Sequence, residues 1–278
     1  MRTNVDWDDV VNRALKEDLG AGDVTTELLG IGNVPARAAI VARDDGILFG
    51  MEVARRVFRQ LERKLVFKAV VEDGQKFTAG RAVARLQGPA GAILAGERVA
   101  LNFIQRLSGI ATYTAAFVAR ADNVAVTVLD TRKTTPGLRS LEKAAVKAGG
   151  GENHRAGLYD GIMIKDNHKH LCGGVGEAVR RAREKRRSRM PIFVEVETVE
   201  EAEAAAAAGA DVIMLDNFDA DAARVACLAV GERATVEVSG GVKLANVAAF
   251  ARSGASRISV GALTHSAPAL DFSLEVEA

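Results

Sequence analysis

From about Val124 onward the chain alternates short apolar runs with longer amphipathic ones. AVTVLD is followed by SLEKAAVKAGG, GIMIKD by GEAVRRAREKR, IFVEVE by VEEAEAAAAAG, VIMLDN by ADAARVACLAVG and TVEVSGG by KLANVAAFARSG, and RISVGALTH closes the series. The short runs are apolar throughout, as strands buried on both faces must be. The longer runs carry apolar residues at helical spacing and have glycine near their ends. Strand alternating with helix predicts a parallel sheet with helices outside it. Because the units are similar in length, a closed barrel is favoured over an open, doubly wound sheet.

Before Val124 the pattern is mixed. DWDDVVNRALKEDLG predicts an amphipathic helix with Val10, Val11, Ala14 and Leu19 on one face. ARAAIVARDDGILFG reads as strand, MEVARRVFRQL as helix and KLVFKAVVEDGQ as strand and turn. AGERVALNFIQRLSGIATYTAAFVARA is a long helical pattern in which Gly109 marks a kink or break. The final DFSLEVEA is strand-like with no helix after it, and is expected to return to the N-terminal sheet.

Composition narrows the classes. The chain has 278 residues, enough for one large domain or two smaller ones, and is 48% apolar. A net charge of +1 argues against a generally basic, nucleic-acid-binding surface. MRTNVDWDDV lacks the apolar centre of a signal peptide, and no apolar run has the length of a membrane span. Cys172 and Cys227 have no metal-ligand spacing. A reduced, cytoplasmic protein is the expectation, with a single disulfide between them as the alternative.

The charge is nevertheless unevenly placed: nine Lys, Arg and His residues fall between Asp130 and His168. In parallel α/β folds ligands bind at the carboxyl ends of the strands. Polar residues stand at each predicted end: Asp130, Arg132 and Lys133; Lys165, Asp166 and Asn167; Glu195 and Glu197; Asp216 and Asn217; Ser239, Gly240 and Gly241; Gly261, with His265 beyond. Any one of these also reads as a cap or turn, Asp216–Asn217 as a helix cap and Ser239-Gly-Gly as a simple turn. All of them together read as a mouth. Arg132, Lys133, His154, Arg155 and Lys165 form a cationic half suited to carboxylates and phosphates. Glu195 and Asp216 form an acidic half of the kind that holds Mg²⁺ with few protein ligands and several waters. Ser239, Gly240, Gly241 and Gly261 offer backbone N–H groups where barrels often hold a phosphate. The denser basic run from Arg180 to Arg189 reads as a solvated face, EEAEAAAAAG as helix and nothing more, and His168 and His170 as loop residues.

The motifs DTRKTTPGLR, GGGENHRAGLYDGIMIKDNH, VEVET, LDNF, SGG and VGALTH, with ALKEDLGAGDVTT and GERVALNFIQRLSGIAT before them, closely resemble those of the quinolinate phosphoribosyltransferase family over nearly the whole chain. A relative associated with molybdenum transport shares that family's fold but differs in the TTPG and IKDNH segments. The one departure is Val238 in EVSGG, where the family more often has Ala or Ser.

The resemblance implies an N-terminal α/β sandwich over 1–106, an incomplete TIM-like α/β barrel over 107–266, and a C-terminal strand, 267–278, returning to the first domain. It implies transfer of phosphoribosyl from phosphoribosyl pyrophosphate to quinolinate, with Mg²⁺, giving nicotinate mononucleotide, pyrophosphate and CO₂. Arg132, His154, Arg155 and Lys165 would grip the quinolinate carboxylates, with Thr131 beside them, and Lys133 would face both ring and pyrophosphate. Glu195 and Asp216 would serve the ribose hydroxyls and the Mg²⁺ site, in direct contact or through water. Ser239, Gly240, Gly241 and Gly261 would hold the 5′-phosphate, with His265 close by. Arg98 would act across the interface of a homodimer or larger homo-oligomer. Two other classes fit the mouth: a Schiff-base lyase using Lys165, and a regulatory barrel that binds a metabolite without turning it over.

Overall fold

Burial of apolar faces dictates each element. The computed structural model describes residues 7–122, 126–186 and 190–277. In chain order these form α1 (Trp7–Leu19), α2 (Val24–Leu29), β1 (Pro35–Ala42), β2 (Gly46–Ile47), α3 (Met51–Leu61), β3 (Val66–Ala69), β4 (Lys76–Phe77), β5 (Ala82–Pro89) and α4 (Ala90–Ala121). There follow β6 (Thr127–Leu129), α5 (Arg139–Ala148), β7 (Ile162–Ile164), α6 (Asp166–Cys172), α7 (Val175–Lys185), β8 (Ile192–Val196), α8 (Val199–Ala208) and β9 (Val212–Asp216). Last come α9 (Ala220–Val230), β10 (Thr235–Ser239), α10 (Val247–Ala251), β11 (Arg257–Ser259), α11 (Ala262–His265) and β12 (Phe272–Glu277). The chain divides into two compact units. One runs to Ala115 and includes Thr135–Gly150 and everything from Ala267; the other is Ala116–Thr134 with Gly151–Ser266.

The first unit is built on an antiparallel sheet of order β12-β1-β5-β3. The tail strand β12 pairs with β1 from Ala42↔Phe272 to Arg37↔Glu277. Helix α3 buries Val53, Ala54, Val57 and Phe58 completely; a fully buried Val or Phe side chain contributes about 1.5–3 kcal/mol. Helix α1 buries Val10, Val11 and Leu15. Leu15, four residues after Val11, takes the inward place expected of Ala14 and Leu19, which are half-buried. Helix α2 begins at Asp23, whose carboxylate accepts the Thr25 and Thr26 N–H groups, and ends at left-handed Gly30.

The second unit holds six parallel strands in the order β6-β11-β10-β9-β8-β7, with β6 and β7 at the two ends. This is the incomplete barrel with a separate antiparallel sheet domain that the family resemblance implies; the parallel strands of the pattern are present, but β6 and β7 do not pair to close the barrel. The first predicted strand starts at Ala125, outside the described residues. Helices α7, α8 and α9 turn small faces inward: Val175, Ala178 and Val179; Ala202, Ala205 and Ala206; Ala223, Ala226 and Val230. Arg180 and Arg181 pair with Glu177 at exposed positions, while residues 187–189 of that basic run lie outside the described residues. Both cysteines are free thiols. Among the described residues no helix is long and apolar enough to cross a membrane.

Two expectations are corrected. The segment after Lys165 is not a loop but α6, with His168 in its first turn. Helix α4 is also unbroken at Gly109. A Cβ there would lie 2.0 Å from the Pro268 carbonyl oxygen, so this glycine serves close approach of the C-terminal segment rather than a kink.

Gly109→Ala therefore tests packing against propensity. In an open helix the change gains roughly 1 kcal/mol, but here the overlap is with backbone, and overpacking costs about 1–3 kcal/mol. A lower melting temperature is expected in thermal denaturation; a higher one would refute the packing account.

Candidate active site

The parallel register puts alternate residues of neighbouring strands on one face. Met163 is opposite Phe193, Glu195 opposite Met214, Asp216 opposite Ser239 and Glu237 opposite Arg257. With a side-chain period of two, Met163 and Lys165, Phe193 and Glu195, and Met214 and Asp216 share that face. Around it opens a cavity of about 400 Å³ lined by Thr131, Arg132, Lys133, His154, Arg155, Lys165, Glu195, Asp216, Ser239, Gly240 and Gly241, with Met163, Met214, Asn217 and Ser259.

The backbone after β6 is fastened at several points. Buried Asp130 accepts the His154 N–H at 2.8 Å. The Thr131 hydroxyl accepts the Lys133 N–H at 3.0 Å, and the fully buried Thr264 hydroxyl donates to the Lys133 carbonyl at 2.7 Å. A side chain on Gly261 would stand 3.1 Å from both Lys133 Cδ and His265 Nε2. Lys133, Gly261 and His265 are thus brought together, and Gly261 has little room for a Cβ.

The cations are held close to one another. The Arg155 guanidinium donates to the Gly161 carbonyl at 3.1 Å and to Met163 Sδ at 3.3 Å. Burial, and then the charge of Arg132, push its pKa down. Two like charges kept within reach of each other lower their mutual cost when an anion enters between them. Lys165 caps α6: its N–H donates to His168 Nδ1 at 3.0 Å, and its Nζ pairs with Glu195. Behind it, largely buried Lys169 joins Asp166 at 2.9 Å to Glu201 of α8 at 2.8 Å.

The acids face these cations. Burial raises the Asp216 pKa, the Glu195 charge raises it further, and Lys165 and Lys133 pull it back. Asp216 and Asn217 do not cap α9, because Asp219 does so through the Ala222 N–H. Asn217 instead takes a left-handed φ of 58° and donates its N–H to the Ser239 carbonyl at 2.9 Å. A Cβ on Gly240, whose φ is 83°, would lie 2.3 Å from Asn217 Oδ1. SGG is therefore a required conformation beside β9 and not an interchangeable turn. Among the described residues no group of three or more His, Cys, Asp or Glu could hold a metal. The acidic donors are two carboxylates, with Asp216 raised in pKa by burial and then by Glu195; a Mg²⁺ ion held there would need water and substrate oxygens to complete its shell.

Of the expected residues, Arg98 lies on α4 in the first unit and the others in the second. Met163, Met214 and Ser259 went unread, although the first two stand two residues before Lys165 and Asp216 and must share their face. Glu237, Arg257 and Thr264 were also missed; an acid inside TVEVS and a base opening RIS were the available signal.

The fold and the mouth define an α/β-barrel enzyme site for a multiply charged anion. Family profiles described as Quinolinate phosphoribosyl transferase, N-terminal domain and C-terminal domain match residues 23–108 and 110–275. A protein of Bacillus subtilis (strain 168) named probable nicotinate-nucleotide pyrophosphorylase [carboxylating] is 46% identical, covering 96% of this chain and 92% of its own. The nicotinate-nucleotide pyrophosphorylase [carboxylating] of Mycobacterium leprae is 38% identical, with 96% of each chain covered. The crystal structure of NadC from Streptococcus pyogenes superposes with a TM-score of 0.93 at 40% identity, over 98% of this chain and 97% of that one. The chain belongs to the quinolinate phosphoribosyltransferase family.

The raised pKa of Asp216 gives a prediction with a definite sign. The folded state holds this proton more tightly than the unfolded state, so stability is lost as pH rises from the ordinary carboxylate range through the folded pKa. Asp216→Asn removes that loss. The variant should melt at a higher temperature than wild type at neutral pH, and the gap should close as the pH falls below the ordinary carboxylate range. A lower melting temperature at neutral pH would contradict the cost assigned to this charge.

Proposed function

We propose that this protein transfers phosphoribosyl from phosphoribosyl pyrophosphate to quinolinate with Mg²⁺, releasing pyrophosphate and CO₂ and leaving nicotinate mononucleotide. The observation that carries the reading is the meeting of Arg132, Lys133, Arg155 and Lys165 with Glu195 and Asp216 in one cavity, on a chain that matches the family along most of its length.

Arg132, His154, Arg155 and Lys165 hold the two carboxylates of quinolinate, with Thr131 at the same edge. Guanidinium forks fit planar carboxylates, and the ammonium adds a point charge. Ser239, Gly240, Gly241 and Gly261 turn backbone N–H groups to the 5′-phosphate, and His265 lies beside Gly261. Glu195 and Asp216 would hold Mg²⁺, directly or through water, and the ion would supply positive charge to the pyrophosphate. Lys133 adds its own charge to the leaving oxygens. Glu195 and Asp216 flank the ribose and favour the positive character that grows on it as the bond to pyrophosphate stretches, a stabilisation of about 3–4 kcal/mol per well-placed group. Once bonded to ribose, the positively charged ring nitrogen stabilises the electron pair left on the ring carbon as CO₂ departs, and a proton from solvent then takes the place of the lost carboxylate.

The enzyme works as a homodimer or a larger homo-oligomer in which Arg98 completes a neighbouring copy's quinolinate site. A cytoplasmic location agrees with the two free thiols.

Quinolinate and nicotinic acid should be assayed in parallel with phosphoribosyl pyrophosphate and Mg²⁺. Nicotinic acid lacks the second carboxylate and leaves cations unmatched, at a cost of about 1–3 kcal/mol or more. It should be a very poor substrate; comparable turnover of the two would sink the assignment.

Arg98 is tested by mixing subunits. Arg98→Ala and Lys133→Ala proteins should each be nearly inactive. In a mixed dimer one site carries both lesions and the other neither, so random exchange restores roughly a quarter of the sites. If subunit exchange is verified by mass spectrometry and the mixture stays inactive, Arg98 does not act across the interface.

A further inference from the structure

Between Arg155 and β7, the strand that leads to Lys165, the chain runs through a short loop, residues 156–160, with no helix or strand in it. The backbone N–H groups of such a loop must find partners outside a helix or sheet ladder. Asp160 supplies two of them. Its Oδ2 accepts the Ala156 N–H at 2.6 Å and its Oδ1 accepts the Gly157 N–H at 3.0 Å. Hydrogen bonds to an ionised carboxylate are roughly twice as strong as neutral ones. The last residue of the loop is thus folded back on the two positions that follow Arg155. The loop is tight as well: Gly157 is buried, and a Cβ there would lie 2.2 Å from the Tyr159 ring.

The fold-back decides where Arg155 points. Gly161, the next residue after Asp160, offers its carbonyl to the Arg155 guanidinium at 3.1 Å, and Met163 of β7 offers Sδ at 3.3 Å. The aliphatic stem of Arg155 lies over Gly161, where a Cβ would stand 3.5 Å from Arg155 Cδ and 3.3 Å from the Phe193 ring. All of these contacts need Gly161 beside Arg155, and the Asp160 carboxylate turns the chain so that it is there. We propose that Asp160 is a positioning residue for quinolinate: it closes the 156–160 loop and thereby aims the Arg155 guanidinium into the mouth. This rests on the reading that quinolinate binds at Arg155. Asp160 is exposed and is not among the residues that line the cavity, so it acts through Arg155. Its charge alone would do the opposite of helping, because a carboxylate near the mouth repels an entering anion.

That opposition of signs makes the test sharp. Asp160→Ala should raise the KM for quinolinate about tenfold, the scale of a lost charge-assisted bond, and the KM for phosphoribosyl pyrophosphate less than about threefold. A KM for quinolinate that falls or stays the same would mean that Asp160 acts by charge or not at all, and would overturn the proposal. The same change is then made in an Arg155→Ala background, with Kd for quinolinate read by calorimetry where turnover is too slow. There it should alter binding by less than about twofold, because a residue that acts through Arg155 has nothing left to act on. An equal loss in both backgrounds would make Asp160 independent of Arg155 and overturn the proposal. Should Asp160→Ala fail to fold, Asp160→Asn, which keeps the shape and one accepting oxygen, replaces it in the same cycle with an expected rise of about threefold. A wild-type protein that neither binds nor turns over quinolinate refutes the functional reading instead. Hydrogen exchange then still tests the loop: the Ala156 and Gly157 amides should be protected in the wild type and exchange fast in the variant, and fast exchange in the wild type would refute the fold-back.

Discussion

Glu195, Asp216 and Ser239, with the strand residues beneath them, owe their direction to the parallel register of β7 to β11. Because the period is two, a slip of one residue in β9 would turn Asp216 and Met214 outward and bring Leu215 and Ile213, both completely buried, in their place. The register is held from both sides. Outward-turned Val194, Val196, Ile213, Leu215 and Val238 are fully buried, and leaving even one of them exposed would cost about 1.5–3 kcal/mol. The apolar outer face of the sheet, which never meets a ligand, is what aims Glu195, Asp216 and Ser239 at one point.

That aim creates an electrostatic problem which the neighbouring strands share. Arg155 is pushed down in pKa by burial and by Arg132, and Asp216 is pushed up by burial and by Glu195. Each half of the mouth is therefore uncomfortable alone, and the Lys165–Glu195 pair bridges the two. On the same face, Glu237 and Arg257 pair with each other. Charge is matched in that pair and left partly unmatched at the rim, so the rim keeps electrostatic energy for a ligand that brings its own charges.

The alternation of apolar and amphipathic runs was enough to read the barrel, because buried parallel strands have almost no freedom of composition. The polar residues ending each strand were legible for the same reason. Less was legible where a residue answers to a distant part of the chain. Gly109 looks like a helix breaker until Pro268 is seen beside it. Strand β5 escaped notice although it is the inner strand between β1 and β3, because AVARLQGP alternates weakly and ends in Gly and Pro. His168 looked like a loop residue because its capping bond to Lys165 depends on a chain direction that spacing does not reveal. Glu237 and Arg257 were visible as letters, but their pairing required the register of β10 on β11.

Lys165 and Asp216 also separate the reaction classes that such a mouth could serve. A Schiff-base lysine attacks as a neutral amine, which proteins obtain by surrounding it with apolar walls or other cations. Lys165 has a side chain 42% exposed, with its Nζ on a Glu195 oxygen, an environment that matches the ammonium to an opposite charge. A site that only bound an anionic metabolite would have no use for Glu195 and Asp216, since two carboxylates facing an anion weaken its binding. In the proposed reaction they become useful when positive charge appears between them. A ribose losing pyrophosphate develops that charge at the carbon to be attacked, which is why an acidic wall belongs opposite a cationic one in a phosphoribosyltransferase.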